Sequence, residues 1–273
     1  MTAIIRDPIS PDLRTTLRAL KLGQMLDTLP ERLTLARQQK MAHADFLELI
    51  LADEVTRREA KSASLRARAA GLDPGMRLDT WDESAAVRYD HQLWNELASL
   101  RFLDGPHGAV ILGPVGVGKT HMASALGHIA VRRRRTVHMA PAGKLFKRLK
   151  AARLDNTLDY EMRRLATVEL LILDDFALQP LDPTQTADFY QLCVERHQRA
   201  STVLTSNRTA EEWLSMMADP LLAQSAVDRL VSAAHELVIE GESYRRRQKP
   251  AINYGHNTSV SIDQKNGDHH DHS

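Results

Sequence analysis

The sequence predicts an α/β fold in which a parallel sheet is buried between helices. From residue 108 onward, short apolar runs alternate with longer segments of helical periodicity. The runs are apolar at nearly every position, as expected for strands that are covered on both faces. Strands that alternate with helices in this way form parallel sheets.

The order of elements follows from these runs and from the Gly and Pro residues between them. We expect strands at 109–112, 136–140, 168–174, 201–206 and near 236–239. Helices are expected between them, at 118–132, 141–166, 184–199 and 209–233. No strand is expected before residue 108, where a short helix is predicted at 90–100.

The first part of the chain predicts a small, separate helical domain. One amphipathic stripe is formed by Leu13, Leu17, Leu20 and Met25. Asp45, with Glu48 three residues later, resembles a capping box that opens a long helix, and Gly71 ends it. The predicted division is a helical domain at 1–72 for a partner or DNA, a linker and nucleotide-flanking segment at 73–107, an α/β domain at 108–248 and a disordered polar tail at 249–273.

Composition excludes several classes of protein. Apolar residues make up 43% and charged residues 26%, which is ordinary for a soluble globular protein. No apolar run approaches the roughly 18 residues of a membrane span, and the start lacks the apolar core of a signal peptide. The single cysteine, Cys193, excludes an intrachain disulfide and favours a reducing compartment, so we expect a cytoplasmic protein.

A glycine-rich loop predicts a phosphate-binding site. Residues 113–120 match G-x-x-x-x-G-K-[ST] at every fixed position and directly follow a predicted strand. In such a loop, backbone N–H groups and the lysine hold the phosphates, and the hydroxyl binds Mg²⁺. The residues assigned to the nucleotide are Gly113, Pro114, Val115, Gly116, Val117, Gly118, Lys119, Thr120 and His121, with Thr120 also a magnesium ligand.

Two carboxylates end the third predicted strand. Asp174 and Asp175 follow an apolar run and lie at the carboxyl end of that strand, where open α/β sheets bind their ligands. Asp174 fits the carboxylate that holds Mg²⁺, and Asp175 fits the group that polarises the attacking water. Acids that merely end a strand are the alternative, and the phosphate loop earlier in the chain favours the site.

Three further polar residues are candidates for the γ-phosphate. Asn207 follows the strand at 201–206 and could orient the phosphate or the water, although an ordinary turn has the same composition. An arginine at the γ-phosphate stabilises charge in the transition state and can come from a second subunit. Arg229 and Arg245 are both candidates, and for each the alternative is a surface ion pair.

These motifs, in this order, resemble the AAA+ ATPases of the initiator and helicase-loader group. The similarity is greatest to the IstB-like transposition helper proteins, which are relatives of the DnaC helicase loader. It covers about residues 40–247 and is carried by the segments 112–121, 170–176, 180–182, 204–207, 228–230 and 241–245.

The resemblance implies an AAA+ P-loop NTPase with a mostly parallel five-stranded sheet, and ATP with Mg²⁺ bound between subunits of a homo-oligomer. It also implies that the protein assembles on duplex DNA, largely independently of the DNA sequence, and assists a cognate transposase. Asn207 then corresponds to sensor 1, Arg229 to an arginine finger acting in trans, and Arg245 to a sensor-2 arginine. Most AAA+ proteins have Glu where Asp175 stands, so slow hydrolysis is expected.

A basic segment lies beside the phosphate loop. From Lys119 to Leu154 there are ten Lys or Arg residues and no acidic residue, and four arginines are consecutive at 132–135. In the family that the chain resembles, the helix after the second strand faces the centre of the assembly. We therefore expect phosphate contacts without base reading, rather than a merely solvated helix, from Lys144, Lys147, Arg148 and Lys150.

Three other functions stay open. A DnaC-like replicative helicase loader would share every motif from 108 to 247. A small-molecule kinase would use the phosphate loop, but it would need a lid for the acceptor and would have no use for an arginine in trans. A nucleotide-gated assembly protein with vestigial hydrolysis is favoured by the short Asp175 side chain.

Overall fold

The computed structural model describes residues 9–82, 87–105 and 107–244. Within these ranges the helices are α1 Pro11–Ala19, α2 Leu29–Gln39, α3 His43–Ala69, α4 His91–Ser99, α5 Lys119–Arg132, α6 Ala142–Leu154, α7 Leu158–Thr167, α8 Pro183–Arg196, α9 Ala210–Ser215 and α10 Pro220–Val231. The strands are β1 Val87–Arg88, β2 Gly108–Leu112, β3 Val137–Pro141, β4 Leu170–Asp174, β5 Ser201–Ser206, β6 Ala234–Val238 and β7 Glu240–Gly241. The predicted tail at 249–273 lies outside the described residues.

Five strands form one parallel sheet in the order β3-β4-β5-β2-β6. This confirms the predicted α/β fold and its five-stranded sheet. The prediction that no strand precedes residue 108 was wrong, because β1 pairs antiparallel with β7. Two residues of strand leave no apolar run to recognise, and the pairing depends on backbone groups far apart in the chain.

Helices cover both faces of the sheet. On one face, α4, α5 and the end of α3 pack on side chains such as Ile111 and Ile172. On the other face, α6 to α10 pack on Val110, Leu171 and Leu204. Neighbouring residues of one strand thus face opposite layers, and both layers are apolar, which explains the unbroken apolar runs in the sequence. No helix among the described residues has the length and apolar character to cross a membrane.

The N-terminal helices differ in detail from the predictions. Leu17 and Met25 are buried in a small cluster with α2 and α3, but Leu13 and Leu20 are 42% and 62% exposed. The predicted stripe was therefore wrong at two of its four positions. Helix α3 begins at His43 after Ala42, which gives no side-chain cap, so the predicted capping box at Asp45 was wrong. Asp45 lies inside the first turn, where a negative charge favours the helix dipole.

The end of α3 is attached to the edge of the sheet. The Met139 N–H of β3 donates to the Ala70 carbonyl at 2.7 Å. Gly71 has a φ of +83°, and a Cβ there would lie 2.5 Å from the Met139 carbonyl oxygen, so only glycine fits. Leu72 then packs against Gly127 of α5. The predicted boundary at residue 72 thus falls at a packed junction between α3 and the sheet.

Candidate nucleotide-binding site

The glycine-rich loop connects β2 to α5 at the carboxyl edge of the sheet. Gly116 and Gly118 have φ values of +87° and +99°, which side chains other than glycine rarely adopt. The Tyr244 N–H donates to the Gly116 carbonyl at 2.9 Å and holds the loop from the side of β7. The loop leads directly into the amino terminus of α5, which begins at Lys119, and a helix amino terminus is the position that favours a bound phosphate.

The Lys119 side chain folds back onto the backbone of the glycine-rich loop. The side chain is buried, and Nζ donates to the carbonyls of Gly113 at 2.9 Å and of Pro114 at 2.8 Å. These contacts hold the ammonium group beside the loop instead of in solvent. A phosphate anion that enters the loop would meet a positive charge that is already in position.

A buried hydrogen-bond network holds Asp174 beside the loop. Asp174 Oδ1 accepts from the Thr120 hydroxyl at 3.0 Å and from the Thr205 hydroxyl at 2.6 Å. Burial raises the pKa of Asp174, while the hydrogen bond from Thr205 opposes that shift. Thr205 was not predicted. Its signal was a polar residue at a fully buried position of the strand beside β4.

Asp175 leaves the strand in an unusual backbone conformation. Its φ is +53°, and its N–H donates to the Thr205 hydroxyl at 2.9 Å. Asp and Asn adopt this left-handed region more readily than other non-glycine residues, because their short side chains can bond the local backbone. The bend exposes the Asp175 carboxylate, which lines the cleft in front of the loop. Thr205 thus positions both carboxylates.

The cleft beside the loop has a volume of about 620 Å³, within the range of small-ligand sites. Asn207 is exposed and lines the same cleft. The residue before it, Ser206, is buried and fixes the strand end. Its hydroxyl donates to the Phe176 carbonyl at 2.9 Å and accepts from Trp213 Nε1 at 3.0 Å. The structure thus brings the predicted loop, Asp175 and Asn207 to one cleft.

Trp81, from the segment at 73–107 that was expected to flank the nucleotide, lines part of this cleft, although no role was predicted for its ring. The ring of Trp81 lies against Gly118, where a Cβ would come within 2.6 Å of it. Trp81 also meets His121 edge to face, with ring centroids 5.3 Å apart, and His121 Nε2 is 2.8 Å from the Arg77 carbonyl. His121 therefore lies in the cleft as predicted, but its ring is turned toward the segment that carries Trp81.

Arg229 is remote from this cleft. It belongs to the last turn of α10, five residues before β6 begins, and so lies at the amino ends of the strands. Its Nη1 donates to the Ser225 carbonyl at 2.8 Å, and its guanidinium lies 5.9 Å from the centroid of the Tyr190 ring. The structure does not bring it to the P-loop of its own chain. Arg245 lies outside the described residues.

The predicted DNA-contacting helix presents three lysines to solvent. Lys144, Lys147 and Lys150 are exposed on α6, and within the described ranges they form no ion pair. Arg148 differs, because it donates to the buried Glu161 at 2.8 Å, as does Arg164 at 3.2 Å. The consecutive arginines after α5 are also largely engaged, through Arg134 with Glu59 and Arg135 with Glu169.

Magnesium is implied by the loop motif, and the residues present fit that ion. The Thr120 hydroxyl and the Asp174 carboxylate supply two oxygen ligands side by side at the loop. Mg²⁺ prefers oxygen ligands, takes few of them from the protein and completes its shell with phosphate oxygens and water. Within the described residues no group of three or more His, Cys, Asp or Glu side chains offers another metal site.

Fold and site together define an AAA+ P-loop nucleotide-binding protein. A family model for the IstB-like ATP binding protein matches residues 15–251. An ATP-binding protein in an insertion sequence of Mycobacterium tuberculosis is 35% identical over 241 residues, covering 88% of this chain and 96% of that one. The IS21 ATP-binding protein of Pseudomonas aeruginosa is 31% identical over 262 residues, covering 94% and 99%. The chain belongs to the IstB-like ATP-binding family.

A solved structure confirms the architecture. The crystal structure of the DnaC helicase loader matches this chain with a TM-score of 0.52 and 19% sequence identity. The match covers 61% of this chain and 97% of the DnaC chain. At this identity the likeness shows the fold alone. The AAA+ fold predicted from the motifs is therefore confirmed, and ATP is the nucleotide that the family binds.

Proposed function

We propose that the protein is an ATPase that assembles on duplex DNA and helps an insertion-sequence transposase to capture and remodel its target. The observation that carries the proposal is that the residues expected to act on ATP lie at two opposite ends of the sheet. The loop, Asp174 and Asp175 lie at one end of the sheet, and Arg229 lies at the other. Relatives named as insertion-sequence ATP-binding proteins support the setting.

The residues of the cleft suggest how hydrolysis proceeds. Lys119 and the loop N–H groups hold the phosphates, and Mg²⁺ held by Thr120 and Asp174 would neutralise their charge. Asp175 accepts a hydrogen bond from the attacking water and takes up its proton, directly or as the bond to phosphorus forms. Asn207, a neutral donor that lines the same cleft, orients the same water or the γ-phosphate.

The separation of Arg229 from the loop predicts the geometry of assembly. If one subunit's Arg229 reaches its neighbour's cleft, two different surfaces meet, one from each end of the sheet. Such head-to-tail contacts do not close as dimers and instead generate rings or helices. In either case many copies of α6 are brought together, each with its exposed lysines.

DNA contact is assigned to the lysine face of α6, which we define as Lys144, Lys147 and Lys150. Lysines without carboxylate partners attract phosphates without reading bases. Arg148 was included in the original prediction, but its contact with Glu161 gives it a role in the fold. Reversing its charge would therefore confuse loss of DNA contact with loss of packing.

Changing all three lysines to Glu should weaken duplex DNA binding by about 100-fold or more at 0.1 M salt. The binding of ATP should stay unchanged, because the lysine face lies outside the cleft. Fluorescence anisotropy with a labelled duplex measures the first quantity, and a fluorescent ATP analogue the second. A matched control is Arg37, Lys40 and Arg163 changed to Glu, which gives the same charge difference at exposed positions outside α3 and α6. Equal losses in both variants would contradict the assignment.

The role of Asp175 is tested by two substitutions with opposite expectations. Asp175→Asn should lower ATP turnover by about 100-fold or more, because the amide cannot accept the proton. It should not disturb the fold, since Asn tolerates the same φ of +53°. Asp175→Glu should keep measurable turnover. Steady-state phosphate release measures both, and unchanged rates in the two variants would show that Asp175 is not catalytic.

The proposed function as a whole is tested by identifying the molecule that stimulates ATP hydrolysis. Phosphate release should rise when duplex DNA is added, and should not respond to small hydroxylated or aminated metabolites. Phosphate transfer to such a metabolite would favour the kinase alternative. Stimulation by a replicative helicase, with no response to duplex DNA or to the transposase, would favour the DnaC-like loader.

A further inference from the structure

A second basic surface lies between the N-terminal helices and the ATPase core. The carboxyl-terminal half of α3 and the end of α5 enclose an open groove of about 1050 Å³. Its lining includes one carboxylate, from Glu59, and five arginines: Arg66, Arg68, Arg77, Arg132 and Arg134. We call this surface the arginine groove. It shares no residue with the lysine face of α6.

Internal contacts account for three of the five arginines. Arg134 donates to Glu59 at 2.9 Å, and Arg77 donates to Asp79 at 3.0 Å. Arg66 joins the two helices, because its Nη2 donates to the Val131 carbonyl at 3.1 Å. Its Nε is buried without a hydrogen-bond partner.

Arg68 and Arg132 are different. Both are exposed, both line the groove, and in the described part of the chain neither side chain forms an ion pair or a hydrogen bond. An arginine in the last turn of a helix is favoured by the helix dipole, and that alone could explain either residue. It does not explain why two different helices direct them into one groove, beside three other arginines.

The dimensions of the groove suit an extended polyanion. On α3 the lining runs from Thr56 to Arg68, which is about 18 Å at 1.5 Å per residue. Phosphates of one DNA strand are spaced about 3.4 Å apart along the helix axis, so roughly five of them span this length. Arginine also suits phosphate better than lysine does, because its planar fork can donate two parallel hydrogen bonds.

We propose that the arginine groove is a second binding surface for the phosphate backbone of duplex DNA, with Arg68 and Arg132 as its principal contacts. The inference rests on the proposed function, since it takes DNA as the ligand. The groove lies on the face of the sheet that α3 and α5 cover, whereas α6 covers the other face. A straight duplex cannot follow both surfaces of one subunit, so DNA held by both must bend or pass a second time.

The test compares four proteins, together with the α6 lysine variant described above, by the salt dependence of duplex binding. They are the wild type, Arg68→Glu with Arg132→Glu, Arg68→Lys with Arg132→Lys, and a control, Arg37→Glu with Arg163→Glu. The control arginines are exposed on α2 and α7, so the charge difference is the same. The probe is a fluorescein-labelled duplex of about 30 base pairs with a non-hydrolysable ATP analogue, titrated from about 50 to 200 mM salt. Thermal unfolding verifies that each variant is folded.

We expect the variant with the glutamate pair in the groove to bind duplex DNA about tenfold or more weakly. The fall of log affinity with log salt should become less steep, by about 1.8 per bound subunit. The lysine pair should keep the slope, and the control pair should keep both quantities. Unchanged affinity and slope in the groove variant, with a loss in the α6 lysine variant, would overturn this inference and leave the proposed function intact. Absence of duplex binding by the wild type would overturn both.

Discussion

Replacing Asp174 by Asn should greatly slow ATP hydrolysis and at the same time stabilise the nucleotide-free protein. The amide keeps an acceptor oxygen for Thr120 and Thr205, so the local network can persist. It removes the negative charge that Mg²⁺ requires, and we expect turnover to fall by about 10²–10³-fold. Phosphate release at saturating ATP and Mg²⁺ measures the loss.

The stability effect follows from the pKa of Asp174. Burial raises this pKa in the folded protein, so the folded state disfavours the charged form. The contribution of the group to stability is therefore fully present below the ordinary carboxyl pKa of about 4 and is lost as the pH rises through the raised value. An amide has no such loss. The melting temperature of the variant should exceed that of the wild type at pH 7, by roughly 2–4 °C for each kcal/mol removed.

Thermal scans of both proteins between about pH 4 and pH 8 test the direction of this stability effect. The difference between the two melting temperatures should shrink as the pH falls toward the ordinary carboxyl pKa. Asp188→Asn is a matched control for hydrolysis. Asp188 is also buried, but it bonds Arg153 on α6 and lies outside the cleft. A lower melting temperature for Asp174→Asn, or unchanged turnover, would contradict the assigned role.

Replacing Arg229 by Ala should lower turnover by about 1000-fold while leaving the affinity for ATP nearly unchanged. The reason is the position of Arg229 at the opposite end of the sheet from its own loop. In the proposed assembly it acts on the ATP of a neighbouring subunit. Arg199→Ala is the control, because Arg199 is exposed nearby and lies 3.8 Å from Glu195. The control should retain full turnover.

Mixing variants shows whether the arginine acts in trans. The Arg229→Ala protein has an intact cleft, and the Asp175→Asn protein has an intact Arg229. An equal mixture should recover about one quarter of wild-type turnover, since half the clefts and half the arginines are intact and an interface needs both. A mixture no more active than its separate components would show that Arg229 does not complete a neighbour's site.

The sequence predicted those parts of the site that depend on local order along the chain. Gly113 to Thr120 could be recognised because a phosphate loop needs its glycines, lysine and hydroxyl at fixed spacing. Asp174 and Asp175 could be recognised because an apolar strand leads directly into them. The parallel sheet followed for a similar reason, from unbroken apolar runs that alternate with helices.

The remaining features depend on contacts between distant segments. Thr205 reads as one polar residue in a strand, and only the pairing of β5 with β4 brings it to Asp174. Trp81 falls in the segment expected to flank the nucleotide, but its packing on Gly118 could not be read from the sequence. Arg148 appeared equivalent to its lysine neighbours until α7 brought Glu161 against it. In each case the tertiary partner, not the local pattern, determines what the residue does.

The most direct test of a shared ATP site that controls contact with DNA is electron microscopy of the protein with a duplex of about 50 base pairs, enough for several subunits along the helix axis. It should be imaged with and without a non-hydrolysable ATP analogue. A ring or helix that encloses DNA, formed only with the nucleotide and with Arg229 of one subunit at the next subunit's loop, is the predicted result. A monomer under both conditions would contradict it.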